Sequence, residues 1–241
     1  MSGNLRHRLG VVLAACCCGT AFGQAALSVP NVPFSGDQVI IRTRLGDDGK
    51  STETRESSRI YRDSAGRIRE DWNPGFAGTA PPEPLVILIR DTIAGVMYAL
   101  ETPAQIAHRI VVPKSTEERP VMMDGYSMPF PANNGRTQQP KGIPTVKSEM
   151  LGTQTFQGIE AQGSRITFTW PAEEQDDGRE VVSMDERWIS KDLGMALLMK
   201  RSDPNTGDAT MRLENIKREE PAGDLFLVPL EYQIVDMPID K

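Results

Sequence analysis

Arg165-Ile166-Thr167-Phe168-Thr169-Trp170 is the stretch that decides the fold class, because three large apolar side chains alternate with three polar ones. A period of two belongs to a β-strand with one face toward a core and the other toward water. Ile166, Phe168 and Trp170 are therefore expected on the core side. Downstream the pattern continues, with strands expected over Val181–Ile189, Met195–Arg201, Thr210–Lys217 and Leu230–Val235. Ser202-Asp203-Pro204-Asn205-Thr206-Gly207-Asp208 reads as a hairpin turn, since Asp, Pro, Asn and Gly each favour a turn position. No segment carries a sustained helical period, so only short helices are expected, one of them near Gly223–Leu225.

Upstream, residues Gln38 to Trp72 read as three strands joined by Gly46-Asp47-Asp48-Gly49 and Asp63-Ser64-Ala65-Gly66. The middle strand, Ser51 to Arg62, is polar until Ile60-Tyr61 and is expected to have one face in water. A second meander follows over Leu85–Arg90, Val96–Leu100 and Ile106–Val112. Five consecutive apolar residues, Leu85 to Ile89, predict burial on both faces of the first strand. The sum is a mainly β chain built as an antiparallel meander sheet, in one β-rich domain over residues 24–241.

Lys114 to Thr145 interrupts the pattern with Pro120, Pro129, Pro131, Pro140 and Pro144, together with Asn133-Asn134-Gly135. It reads as a Pro-rich loop or insertion, a length at which loops tend to be lids, binding loops or disordered segments. Met122, Met123, Tyr126, Met128 and Phe130 predict that part of it packs onto the sheet.

The N-terminus carries an address. Arg6, His7 and Arg8 precede an uncharged apolar run from Leu9 to Phe22 and then small residues, the layout of a secretory signal over residues 1–23. Ala21-Phe22-Gly23 predicts cleavage before Gln24, with Gly23-Gln24-Ala25 as a second frame. Leu13-Ala14-Ala15-Cys16 offers the alternative of a lipoprotein signal with Cys16 lipidated. The chain is thus expected to be exported, periplasmic or secreted, with an outer-membrane lipid anchor as the other outcome. All three cysteines, Cys16, Cys17 and Cys18, lie in this segment, so no disulfide is expected in the remainder.

The formal net charge is −6. Residues 1–23 hold two arginines and no acids, and losing them takes it to −8. An acidic chain with no Lys/Arg cluster points away from nucleic acid and from anionic membrane surfaces. After the leader, the apolar run Leu85–Ile89 falls far short of a membrane span, which takes about 20 residues.

The inventory of chemistry is short. His108 is the one histidine outside the leader, on a strand beside Ile106 and Ile110, with no partner motif for nucleophilic catalysis. Gly125-Tyr126-Ser127-Met128-Pro129 lacks the second glycine and the preceding strand of a nucleophile elbow. One histidine and no thiolate cannot assemble a zinc site. Asp203, Asn205 and Asp208 lack the spacing of a calcium loop and are better read as turn residues. Glu173-Glu174-Gln175-Asp176-Asp177 reads as a solvated hairpin tip. No glycine-rich loop joins a strand to a helix, so no phosphate-bearing cofactor is expected. No cofactor or metal is therefore expected at all.

Four segments carry a family likeness: Glu186-Arg187-Trp188-Ile189-Ser190-Lys191-Asp192-Leu193-Gly194, Lys200 to Gly207, Arg212-Leu213-Glu214-Asn215-Ile216, and Leu225-Phe226-Leu227-Val228-Pro229-Leu230-Glu231-Tyr232. With Val32-Pro33-Phe34-Ser35-Gly36 and Tyr61-Arg62-Asp63, they resemble a family of uncharacterised exported bacterial β-rich proteins. Over roughly residues 147–236 the same order of features resembles, more distantly, the lipoprotein-carrier superfamily of LolA, LolB and RseB-like proteins. That resemblance implies an open, strongly curved antiparallel half-barrel. The carriers also lay helices in the concave side, and this sequence has no segments for them.

The expectation for function follows: a non-enzymatic envelope protein whose sheet takes an apolar ligand, a lipid or lipoprotein acyl chain, or docks a protein partner. Phe168, Trp170, Trp188, Met195, Leu197 and Met199 are the candidate ligand-facing residues, and ordinary core is the competing role for each. The alternatives are an exported hydrolase using carboxylates or Ser127, and a purely structural surface protein.

Overall fold

The computed structural model describes residues 32–45, 50–73, 84–111, 140–204 and 207–237. The expected leader with Cys16, the Gly46–Gly49 turn, Ser127 and most of the Pro-rich loop lie outside the described residues.

Twelve strands form one sheet among the described residues: β1 (Phe34–Leu45), β2 (Ser51–Arg62), β3 (Ile68–Trp72), β4 (Val86–Asp91), β5 (Val96–Glu101), β6 (Ile106–Val111), β7 (Thr145–Phe156), β8 (Ile159–Trp170), β9 (Val181–Ser190), β10 (Met195–Asp203), β11 (Gly207–Lys217) and β12 (Gln233–Asp236). The strand order is β12-β6-β5-β4-β3-β2-β1-β11-β10-β9-β8-β7. Two meanders, β1 to β6 and β7 to β11, are joined side by side where β1 pairs with β11. Every one of these pairings is antiparallel except β12 on β6. With β12 and β7 at opposite ends of the order, the sheet is open. Helix among the described residues is confined to 3-10 turns at Ala172–Glu174 and Gly223–Phe226, the second at the place expected.

Turn chemistry sets the hairpins. Asp63 is buried, and its carboxylate accepts from the Arg67 backbone N–H at 2.7 Å and from Arg67 Nε at 2.6 Å. Gly66 supplies the positive φ of 85° that the same turn needs. Asp91 Oδ1 accepts from the backbone N–H groups of Ile93 and Ala94, tightening the β4–β5 turn.

Curvature has an identifiable source. The ladders shift register between Met150 and Gly152 on β7, between Ala196 and Leu198 on β10, and between Ser35 and Asp37 on β1, opposite Lys217 and Glu214. A bulge bends its strand and increases local twist. All three fall toward the same end of the sheet, and there the sheet curls on itself. Gln157, at the tip of the β7–β8 hairpin, donates to the Leu213 carbonyl at 3.3 Å and accepts from the Ile216 N–H at 3.4 Å, although β8 and β11 are separated by β9 and β10.

The largest core fills this curled end. Phe34, Ile60, Ile159, Ala161, Trp188, Leu193, Met195, Leu197 and Leu213 are buried together. Arg62 is buried among them, donating from Nη2 to the Leu193 carbonyl at 2.6 Å and from Nε to the Val32 carbonyl at 2.9 Å, with its guanidinium 4.9 Å from the centre of the Phe34 ring. A second core, Ile87, Ile89, Leu100 and Ala107, lies on one face of β4–β6, where Val228 and Tyr232 of the C-terminal segment pack on it. Arg69 Nη1 holds that segment through the Leu225 carbonyl at 2.9 Å. A third, smaller cluster joins Ile40, Ala196 and Met211, with Ile189 and Met199 against it.

Three sequence expectations change. β4 is buried on one face only, because Leu88, between Ile87 and Ile89, is 37% exposed. β7 has no counterpart among the expected strands. On β8 the core side is Ile159, Ala161 and Gly163, whereas Ile166 is exposed and Phe168 and Trp170 are only half-buried.

Candidate binding site

β7 and β8 form the outer hairpin of the open sheet, and their cross-strand register sets one face side by side. Val146 stands opposite Phe168, Ser148 opposite Ile166, and Met150 opposite Ser164. On the other side of β8, Phe168 faces Ser183 and Trp170 faces Val181 of β9. Phe168 and Trp170, two residues apart on one strand, lie on the same face. Their ring centres are 6.0 Å apart at an interplanar angle of 28°. Val146 is 54% exposed, Ile166 38% and Met150 75%. The result is an apolar strip at the surface, floored by two stacked aromatics and accompanied by Ser148 and Ser164.

The base of this hairpin is braced. Lys141 exchanges hydrogen bonds with Gln175, its N–H donating to Gln175 Oε1 at 3.0 Å and its carbonyl accepting from Gln175 Nε2 at 2.9 Å. Its ammonium reaches Asp176 at 2.5 Å, so the acidic run at 173–177 receives the end of the Pro-rich segment.

The six sequence candidates divide into three groups. Phe168 and Trp170 belong to the strip. Met199 is on the same face, since the register runs Ser164–Arg187–Met199–Met211 across β8 to β11, but it packs half-buried with the Ile40 cluster. Between it and the strip stand Asp185 and Arg201, 3.9 Å apart. Trp188, Met195 and Leu197 are buried in the curled-end core, Trp188 on the opposite face of β9. The structure therefore brings Phe168 and Trp170 together with Val146, Met150 and Ile166. Val146 and Met150 escape a reading of the sequence as site residues because only the pairing of β7 with β8 sets them beside the aromatics, while Ile166 reads as core from its alternation with Phe168 and Trp170.

Trp188 is anchored by charge. Its Nε1–H donates to Glu186 Oε1 at 2.8 Å, and Arg165 Nη2 pairs with Glu186 Oε2 at 2.6 Å. Burial pushes the Glu186 carboxyl up, but the hydrogen bonds from Trp188 and Arg165 and the charges of Lys200 and Arg165 hold it below its ordinary value. Asp37 is similar: burial opposes its charge, yet Arg59 and Asn215 hold it low. Glu70 is the reverse case. Burial raises it, and the hydroxyl of Ser58, donating at 2.7 Å, together with the Arg90 charge only partly offsets this.

These carboxylates are committed to structural partners. His108 Nε2 lies 3.2 Å from Glu101 Oε1, with no serine or threonine in the interaction. Among the described residues no group of three or more His, Cys, Asp or Glu is arranged to hold a metal, and no helix is long and apolar enough to cross a membrane.

No protein-family model matches the sequence, and no curated protein sequence is similar to it. Among solved structures the chain is similar to one from the Pseudomonas aeruginosa MucA/MucB complex, at 13% identity and a TM-score of 0.45, covering 87% of this chain and 60% of that one. It is also similar to an uncharacterised conserved protein from Thermus thermophilus (13% identity, TM-score 0.43, 86% of this chain and 91% of that one). A third likeness is to a LolA-superfamily protein from Nitrosomonas europaea (10% identity, TM-score 0.35, 84% and 94%). All three likenesses are distant, and this chain spans 60% of the MucA/MucB chain that it matches.

Proposed function

We propose that the protein is a non-enzymatic exported binding protein that takes an apolar ligand, a lipid or acyl chain, along the β7–β8 strip. One observation carries the reading: the stacked Phe168–Trp170 pair lies on the same face as exposed Val146, Met150 and Ile166 at the edge of an open sheet. Scattered exposed apolar residues need no explanation, whereas contiguous ones mark interaction surfaces. Aromatic rings flanked by aliphatic side chains present a flat, weakly hydrated floor on which an acyl chain loses water at little cost in order. Ser148 and Ser164 supply hydroxyls for a polar head.

Non-enzymatic action is supported by the commitment of Glu186, Asp37 and Glu70 to structural partners. Export is supported by the layout of residues 1–23, with processing before Gln24 or lipidation of Cys16 as the two outcomes.

The test is direct. Organic extraction of purified protein is expected to yield lipid, and long-chain fatty acids are expected to raise the melting temperature. Brominated fatty acids should quench Trp170 fluorescence in a Trp72→Phe, Trp188→Phe variant, in which Trp170 is the one remaining tryptophan. Protein that yields no lipid, shows no thermal shift and gives no quenching overturns the proposal. A protein partner crosslinked through Phe168 in place of lipid would do so equally.

A further inference from the structure

β7 ends the strand order, and among the described residues it pairs with β8 alone, leaving its outer edge without a strand. It is twelve residues long, and most of its residues are exposed. Native proteins guard such edges with charge, proline or bulges, because an unpaired ladder recruits another strand. Here the guard is incomplete. Between Thr145 and Met150 the ladder with β8 is regular, and only beyond Met150 does the bulge bend the strand away.

We infer that this regular run is a homodimer interface, in which β7 pairs antiparallel with β7 of a second copy, centred on Ser148. The two-fold symmetry of such a pair fixes which registers exist. A two-fold axis perpendicular to the sheet pairs residues of like face, so the centre falls on one residue. Centring on Lys147 sets Lys147 against Lys147, and centring on Glu149 sets Glu149 against Glu149. Centring on Ser148 sets Lys147 against Glu149 twice, with Val146 against Met150 twice on the other face. Opposite charges across a ladder stabilise it and like charges oppose it. Within one chain the Lys147 ammonium already lies 3.0 Å from Glu149 Oε1, and both groups are exposed enough to turn outward to a neighbour. The Val146–Met150 contacts would bring two exposed apolar side chains of each copy edge to edge across the axis. This inference does not rest on the lipid reading.

Symmetry also supplies the test. Ser148 would face Ser148 of the second copy with Cα atoms about 4.5–5.5 Å apart, within reach of a disulfide. In a full chain with Cys16, Cys17 and Cys18 replaced by serine, Ser148→Cys is expected to crosslink two copies on mild oxidation. Thr153→Cys, equally exposed and five residues along the same strand, would lie about 33 Å from its mate and is expected not to. In sedimentation, Lys147→Glu and Glu149→Lys are each expected to weaken self-association about tenfold or more, and the double exchange to restore it. Unchanged urea midpoints would show that the variants fold. Monomer at every soluble concentration, equal crosslinking at 148 and 153, or a double exchange that dissociates further would each overturn the assignment.

Discussion

The indole of Trp188 occupies the space that a β-carbon on Gly163 would need. The two residues are cross-strand partners on β9 and β8, and a Cβ at position 163 would lie 2.7 Å from the six-membered ring. Gly163→Ala is therefore expected to destabilise the fold by roughly 1–3 kcal/mol through overpacking. Gly152→Ala offers a contrast, since nothing lies within 4 Å of its added methyl and its cost, about 1–2 kcal/mol, comes from the positive φ of 81°. Urea denaturation separates the two. Trp188→Leu should absorb most of the penalty at 163 and none of that at 152, and equal coupling to both would refute the steric account.

Arg62 ties β2 to two distant carbonyls at the curled end. Arg62→Ala leaves the carbonyls of Val32 and Leu193 without their charged donor and strips the cation from the Phe34 ring, a loss on the order of 3 kcal/mol. Lysine cannot span both acceptors and should rescue less than half of it. Hydrogen exchange should show the loss first in the Ser190–Gly194 turn.

Glu186 and Glu70 predict opposite responses to pH. The Glu186 carboxyl is held below its ordinary value in the fold, so its contribution is complete above about pH 4.5 and is lost as pH falls through the folded value. Glu186→Gln should flatten the acid arm of the stability curve and lower the plateau at pH 7. Burial raises Glu70, so its ionisation opposes folding as pH climbs from about 4.5 through the higher folded value. Glu70→Gln should be neutral near pH 4 and stabilising at pH 7. Denaturation midpoints from pH 3 to 8 would reveal either sign reversed.

Surface strip and core should separate in mutagenesis. Trp188→Ala and Leu197→Ala empty the curled-end core and should cost about 3–5 and 2–5 kcal/mol. Phe168→Ala and Trp170→Ala act on half-buried rings and should cost less than half as much, while abolishing the fatty-acid-induced thermal shift. A shift that survives the Phe168→Ala, Trp170→Ala double variant would place the ligand elsewhere.

Most strands are legible in the sequence because alternation and turn chemistry are local. β1 to β6, the pairing of β10 with β11 and the 3-10 turn at Gly223–Phe226 all announce themselves within a few residues. β7 does not. Thr145-Val146-Lys147-Ser148-Glu149-Met150 is an edge strand with both faces largely in water, so it lacks the apolar period on which recognition depends. The core side of β8 is hidden for the opposite reason: it is marked by small residues, and Gly163 is small because Trp188 fills the space above it, a fact about β9. Leu88 reads as core in sequence, yet only one face of β4 receives the C-terminal segment. The candidate site is half legible. Phe168 and Trp170 follow from the alternation, whereas Val146 and Met150 join them only through pairing across strands.

The parallel pairing of β12 on β6 has a consequence for the order of assembly. Residues 106–109 find their partner only at 233–236, and β1 finds its partner only at β11, so neither meander can be completed by the residues next to it in sequence. Loop closure must precede these two pairings, so they form after the local hairpins on either side of them. During synthesis, β6 presents an open ladder until residues 233–236 have emerged.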